Sequence, residues 1–239
     1  MIEKIDNVNA FDEWHKRDLF TVRILSLLKS YGCKYQFATF YKQVIDGRIT
    51  AILSKLDGDF TLALDSGFDN EELVHFFCVS GYNSILCSDD FLLSPRFEEG
   101  VIMSCTAKRE PVLLNAEVDE YPKLMDLFNF VDYEEQDFKA WYVDISHRVR
   151  HGTAKAYTLN VDGYTVSSGI LSSIIDDYSI LTAVRTDKEF RRMGYASTLV
   201  SYICCDVKGI VYLMCDSESN ERFYAKIGFE TKEQWRIYK

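Results

Sequence analysis

Three times in this chain, two β-prone runs are separated by a bare Asp-Gly step: Asp46-Gly47, Asp57-Gly58 and Asp162-Gly163. Asp176-Asp177 makes a fourth turn of the same length. Such a step is the strongest short-range signal for a tight hairpin, because glycine adopts positive φ freely and aspartate tolerates it. The runs so joined are Tyr35–Ile45, Ile49–Leu56 and Phe60–Leu64, then Ala154–Asn160, Tyr164–Ile174 and Tyr178–Arg185. The sequence therefore predicts two separate series of three antiparallel strands, which excludes an all-helical fold.

Helical signals surround each series. Trp14, Leu19, Val22, Leu25 and Leu28 recur at near-helical spacing within Phe11 to Tyr31, and Gly32 follows as a stop. Asn70 to Ser80 reads as a helix ending at Gly81, Ser84–Cys87 as a short buried strand, Asp89–Phe97 as a short helix and Gly100–Ala107 as a strand. Glu110–Asn115 is either a linker or a first strand, and Tyr121–Val131 and Glu134–Arg150 read as helices. In a helix from about Arg191 to Val207, the residues Ala196, Leu199, Val200, Ile203, Cys204 and Val207 form a one-sided apolar stripe. A continuous apolar strand (Ile210–Cys215), a short helix (Ser219–Lys226) and a final strand or pair (Gly228–Lys239) complete the order. The two halves thus repeat one order of elements. This predicts an α/β (α+β) fold in tandem halves, each a mixed, largely antiparallel sheet flanked by helices, with domains over 1–110 and 111–239 and a boundary near 107–118.

Composition narrows the function. With 27 basic against 37 acidic residues the net charge is −10, and the basic clusters are limited to Lys108-Arg109 and Arg191-Arg192. Nucleic-acid binders draw much of their affinity from basic faces, so neither nucleic acid nor an anionic membrane is an expected partner. No apolar run nears the ~20 residues of a membrane helix, and MIEKIDNVNAFDEW has no secretory h-region, so the expected location is cytoplasmic. The seven cysteines form no CxxC pair and read as reduced, buried thiols, with no metal site expected.

The chemistry concentrates in LTAVRTDKEFRRMGYA, Leu181 to Ala196, and in NERFYAKIGF, Asn220 to Phe229. The first is a buried strand running through a loop into a helix. A helix N-terminus presents unpaired N–H groups and partial positive charge, so it suits a phosphate. Gly194 permits close backbone approach there, and Arg191 and Arg192 add charge. In the second stretch Asn220 and Tyr224 fall on one helix face, four residues apart. At the corresponding turn of the N-terminal half the chain reads DSGFDNEE, an acidic turn that repels a pyrophosphate. The expectation is that the second half alone binds an anionic cofactor.

The run Arg191-Arg192-Met193-Gly194-Tyr195-Ala196 resembles the R/Q-x-x-G-x-G/A acetyl-CoA signature of the GNAT N-acetyltransferase superfamily. Val184-Arg185-Thr186 is similar to that family's fourth strand, and Asn220…Phe223-Tyr224-Ala225-Lys226-Ile227-Gly228-Phe229 to its N-x-x-x-x-Y-x-K-x-G-F segment. The resemblance covers about residues 115–239. It departs from the family at Arg192, where a glycine is frequent, and after Thr186, where a proline is absent.

The resemblance implies an acetyl-CoA-dependent transfer to a primary amine of a small molecule or peptide, by direct attack, in a monomer or homodimer. Backbone amides of Arg192 to Ser197, including Met193, Gly194, Tyr195 and Ala196, would hold the pyrophosphate beside Arg191. Val184 and Thr186 would pair with the pantetheine arm, and an amide near Ala183 or Val184 would polarise the thioester carbonyl. Asn220 would hydrogen-bond pantetheine, and Tyr224 would protonate the leaving thiolate. Plainer readings stand beside these: surface arginines at a helix start, a helix-capping Asn220, a packing Tyr224, and a non-catalytic acyl-CoA sensor or partner-binding module. No motif marks the base that takes the amine proton; Asp216, Glu218, Asp176 and His151 carry suitable groups, and a water chain would serve equally.

Overall fold

The computed structural model describes residues 1–106, 110–112, 115–131 and 138–239. The beginning of the helix expected from Glu134, the end of the strand expected to Ala107, Lys108-Arg109 and part of the Glu110–Asn115 segment lie outside the described residues. The chain forms two compact units, one of residues 1–102, 214–217 and 232–239, the other of residues 103–213 and 218–231.

In the first unit a short strand β1 (Ile2–Lys4) and helix α1 (Leu19–Tyr31) precede the meander β2 (Ala38–Ile45), β3 (Arg48–Leu56) and β4 (Asp59–Leu64). Helix α2 (Asn70–Ser80), β5 (Ser84–Ser88) and β6 (Glu98–Cys105) follow. The hairpins form where turn chemistry demands them: Asp46 and Asp57 have φ of 50°, each followed by a left-handed glycine. The helix α1 starts later than its apolar periodicity implies, because the Asp18 carboxylate accepts the Thr21 amide at 2.8 Å and fixes the first turn. The β4–β5 pair is parallel over three residues, Asp59–Thr61 against Ser84–Leu86.

The far neighbour of β5 comes from the other end of the chain. Strand β12 (Glu230–Tyr238) pairs antiparallel with it, Trp235 opposite Ser88 and Tyr238 opposite Ile85. The core of this unit is a run of rings: Phe60 to Phe77 (5.1 Å), Phe77 to Phe91 (5.6 Å) and Phe91 to Tyr238 (6.0 Å). Among the other aromatic residues of this half, Phe40 is buried, Tyr41 and Phe76 pack partly exposed, and Phe37 lies open against Tyr31 and Tyr35.

Two expectations fail in this unit. No helix forms over 89–97. Pro95 disfavours helical geometry at Ser94, and Asn70 ties the Leu92 backbone to α2, its side chain both donating to the Leu92 carbonyl (3.1 Å) and accepting from the Leu92 amide (3.3 Å). Cys78, in the apolar run FFCV, is exposed on the outer face of α2 rather than buried.

The second unit begins with the end of β6 and continues with β7 (Glu117–Asp119), α3 (Leu124–Val131) and α4 (Phe138–Arg150). Its meander is β8 (Lys155–Val161), β9 (Tyr164–Ile175) and β10 (Tyr178–Thr186). Helix α5 (Tyr195–Asp206), β11 (Ile210–Cys215) and α6 (Glu218–Ile227) follow. Its strands lie in the order β11-β10-β9-β8-β7, and β10–β11 is parallel, again over three residues, Tyr178–Ile180 against Ile210–Tyr212. The pairs β1–β2, β2–β3, β3–β4, β5–β12, β7–β8, β8–β9 and β9–β10 are antiparallel. The mixed, largely antiparallel α/β architecture read from the sequence is therefore the one observed.

Candidate acyl-donor site

The site residues read from the sequence fall on three pieces of the second unit: the end of β10, the turn into α5, and α6. In β10 the register against β9 shifts first between Ile180, opposite Ser173, and Leu181, opposite Leu171; it then holds to Thr182 opposite Ile170 and resumes at Arg185 opposite Ser168. Ala183 and Val184 together face the single residue Gly169, which makes a β-bulge. Ala183 has φ of 53°, a left-handed conformation that costs an L-residue about 1–2 kcal/mol. A bulge frees backbone groups from the ladder, so the amides at 183 and 184 are released from regular pairing.

The neighbouring strand is built to receive this bulge. A Cβ at Gly169 would come 2.9 Å from Ile203 Cδ1, so α5 packs closely on β9 here and a larger residue would push the end of the Ile203 side chain aside. The Ser168 hydroxyl donates to the Ala183 carbonyl (3.2 Å) and the Ser167 hydroxyl to the Arg185 carbonyl (2.9 Å), and both serines are fully buried. Sequence reasoning missed Ser167, Ser168 and Gly169. Their signal was the run of small residues within a strand, where an interior glycine marks a bulge.

After Thr186 the chain turns through Asp187 and a short 3-10 turn to Arg191, whose Nε donates to the Thr186 carbonyl (3.2 Å). Arg192 has φ of 64° and Gly194 φ of 91°. The Phe190 ring sits edge-on to Tyr195, 5.9 Å between centroids, bracing the turn. Gly194 is the N-cap of α5 and supplies no capping side chain. The first amides of α5, at Tyr195, Ala196 and Ser197, therefore meet no cap from Gly194, while Arg191, Arg192 and Met193 are exposed around them. Among the described residues, the non-glycine positions with positive φ are four aspartates in hairpin turns plus Ala183 and Arg192. Backbone strain outside ordinary turns is thus confined to this site.

The equivalent places in the first unit are closed. Strand β4 pairs with β3 without a register shift, from Leu56 opposite Asp59 to Ala51 opposite Leu64, so there is no bulge. The N-terminus of α2 is capped by Asp69, whose carboxylate accepts the Glu72 amide at 3.0 Å. Glu72 itself is held by Gln43 (2.8 Å) and the Ile2 amide (3.0 Å). That helix end already carries its own carboxylates.

On α6, Asn220 is exposed in the first turns and Tyr224 is half-buried, its ring against Phe223 (4.9 Å) and Phe229 (5.5 Å). The Tyr224 carbonyl accepts from the amides of Gly228 (3.2 Å) and Phe229 (3.1 Å), closing the helix with Gly228 at φ of 110°. Of the groups named as possible bases, two lie at the wrong end of the sheet. Asp176 is in the β9–β10 turn, and Thr153, two residues after His151, bonds the Ile174 amide beside that turn. At ~3.3 Å per residue, the turn is more than ~15 Å along β10 from the bulge. Glu218 is exposed and paired with Arg222.

Comparisons with known proteins bear on the fold. Residues 168–237 match the family model described as FR47-like protein, a span that begins beside the bulge and includes α5 and α6. No curated protein sequence matches the chain significantly. Solved structures match over nearly the whole length. A GCN5-related N-acetyltransferase from Kribbella flavida is 13% identical with a TM-score of 0.62, over 92% of this chain and 93% of that one. The fold is that of the GCN5-related N-acetyltransferases. A Drosophila protein is 10% identical with a TM-score of 0.68, over 99% and 97% of the two chains. A tandem GNAT protein from the clavulanic acid biosynthesis pathway is 11% identical with a TM-score of 0.61, over 99% and 97%. The resemblance to the GNAT superfamily read from two short motifs thus extends to the fold, and tandem GNAT proteins are among its structural neighbours.

Proposed function

We propose that the protein is an acyltransferase that moves the acetyl group of acetyl-CoA to a primary amine of a small molecule or peptide, using the second unit. One observation carries this reading. A strained bulge in β10 and an α5 N-terminus without a side-chain cap occur together in the second unit, while both features are absent or filled in the first.

Acetyl-CoA supplies an acyl group activated as a thioester. The amides of Arg192 to Ser197 hold the pyrophosphate, with Arg191 and Arg192 adding charge. The backbone of Val184 and Thr186 aligns the pantetheine arm as an added strand, helped by Asn220. An amide at Ala183 or Val184 donates to the thioester oxygen, where charge develops during attack. The amine nitrogen bonds to the carbonyl carbon, the carbon–sulfur bond breaks, and Tyr224 gives its phenolic proton to the departing sulfur; the proton the amine loses passes to water, from which the phenol is restored. A phenol is protonated at neutral pH and is ready for that role. The reading is also supported by charge: a net −10 favours cationic acceptors.

The test is release of free CoA thiol from acetyl-CoA across a panel of amines and peptides. An active enzyme releases thiol with at least one acceptor, and Tyr224→Phe lowers kcat by about 10²-fold or more with the acetyl-CoA affinity retained. Binding of acetyl-CoA without turnover on any acceptor would instead identify a non-catalytic acyl-CoA sensor.

A further inference from the structure

At the outer edge of the second unit's sheet lies a cavity of about 420 Å³ that the reaction above does not use. Strand β7 covers β8 only from Thr158 to Asn160, and the cavity lies past the end of that pairing, beside Lys155 and Ala156. Small residues leave the space: Gly152, Ala154 and Ala156 line it where α4 gives way to β8. Leu124, Val149 and Ile174 close its apolar sides. Its polar side is Glu120 and Lys155, beside a Tyr121 side chain that is 84% exposed.

These polar groups belong to a network with a surplus of negative charge. The Lys155 ammonium donates to Glu120 and to Asp206, at 2.7 Å each. From the same surroundings Tyr202 donates to Glu120 (2.5 Å) and Tyr157 to Asp206 (2.7 Å). One cation between two carboxylates leaves one negative charge uncompensated. A carboxylate has roughly four acceptor sites, of which Lys155 and Tyr202 take two at Glu120. The Tyr121 ring already stands near a cation, with the Lys155 nitrogen 5.9 Å from its centroid.

We infer that this cavity is a second amine site: it takes a small amine with an apolar body, whose ammonium meets the remaining acceptor sites of Glu120 and the Tyr121 ring. The apolar body displaces water from the two alanines and from Leu124, Val149 and Ile174. A volume of about 420 Å³ lies in the lower part of the roughly 300–1,000 Å³ range of ligand pockets and suits a small molecule. An anionic ligand is repelled by the uncompensated carboxylate charge, and a neutral one gains nothing from it. Strand β9 lies between β8 and β10, so the site is at least two strand spacings, roughly 10 Å, from the thioester position assigned to β10. Attack needs reacting atoms roughly 3–3.5 Å apart, so an amine held at Glu120 is not the acceptor that is acetylated. The inference stands apart from the acyl-transfer reading and is tested without acetyl-CoA.

The probe is phenethylamine, titrated into the full chain and followed by calorimetry and by backbone amide NMR shifts. Saturable binding is expected, with the largest shifts at Tyr121, Lys155 and Ala156. Phenethyl alcohol and phenylacetate keep the ring without the cation and are expected to bind about tenfold more weakly or worse. Glu120→Gln keeps an acceptor for Lys155 and Tyr202 but removes the charge, and is expected to weaken the amine about tenfold. Val149→Trp fills the cavity from a position that is 38% exposed, and is expected to abolish the shifts at Lys155 and Ala156. Shifts confined to residues 183–192, equal affinity for the amine and the alcohol, unchanged affinity in either variant, or no binding up to about 10 mM would overturn the inference while leaving the acyl-transfer reading in place. The amide spectrum of each variant confirms that the fold is retained, and Val149→Trp, at the surface, decides alone if Glu120→Gln does not fold.

Discussion

Removing the Tyr238 side chain should destabilise a unit in which the rings it packs on, Phe91 and Phe97, lie more than a hundred positions away. Tyr238 is 1% exposed, its ring packs on Phe91 and Phe97, and its hydroxyl donates to the Phe91 carbonyl at 2.9 Å. Tyr238→Phe keeps the ring and leaves that carbonyl buried and unpaired, a cost of about 1–3 kcal/mol. Tyr238→Ala also deletes the ring and opens a cavity beside Phe91, which raises the loss to about 3–5 kcal/mol. Against a typical stability of 5–15 kcal/mol the alanine variant loses a large fraction of what holds its unit together. Urea unfolding followed by circular dichroism measures both losses, with the midpoint shifted and the slope retained. An alanine variant that costs less than about 1 kcal/mol would refute the assignment of the C-terminal strand to the first unit's core.

Other consequences can be checked as directly. Gly194→Val places a β-branched residue at φ of 91° and should abolish acetyl-CoA binding measured by calorimetry; unchanged affinity sinks the assignment of the turn. Arg192→Gly relieves a left-handed arginine at φ of 64° and should raise thermal stability by about 0.5–1 kcal/mol, while any measured destabilisation contradicts the strain argument. Lys155 bridges Glu120 and Asp206, each at 2.7 Å, and the pairing also sets a pH dependence. The Lys155 hydrogen bond holds the Glu120 carboxyl below its ordinary range; burial pushes Asp206 upward, but its bonds to Lys155 and Tyr157 leave it lowered overall. Both carboxylates therefore add stability that is fully present above about pH 5 and lost as pH falls through their lowered folded values. Lys155 is raised despite its burial, so its part persists until strongly alkaline pH. Lys155→Met should flatten the acid limb of the stability profile between about pH 5 and 3, and an unaltered limb would show that the network carries no linked protons.

Elements fixed by neighbouring residues were legible in the sequence. The hairpins at Asp46-Gly47, Asp57-Gly58 and Asp162-Gly163 form because each turn's conformation is a property of its own two residues. Helix α2 runs from Asn70 to Ser80 and strand β11 from Ile210 to Cys215, as their apolar patterns and flanking glycines imply. The acidic DSGFDNEE turn was readable for the same reason, since a carboxylate directly before a helix, as Asp69 is, reaches a free amide three residues on. The absent helix over 89–97 shows the limit. Its pattern was tolerable, but a side chain from α2, Asn70, bonds the Leu92 backbone and takes the place of the helical ladder.

The sequence by itself determined the hairpin turns, helices such as α2 and α5, the chemical difference between the two helix starts at Asp69 and Gly194, and the set of residues that resemble an acetyl-CoA site. Tertiary structure alone decided the bulge at Ala183 and Val184, the serines and glycine of β9 that hold it, the segment 110–112 against α5, and the pairing of β12 with β5. The physical reason is range. A turn or a cap is an equilibrium among a few adjacent residues, whereas a strand's register and partner follow from which distant surfaces it buries. Tyr238 and Phe91, 147 residues apart, have no pattern in common that announces their contact.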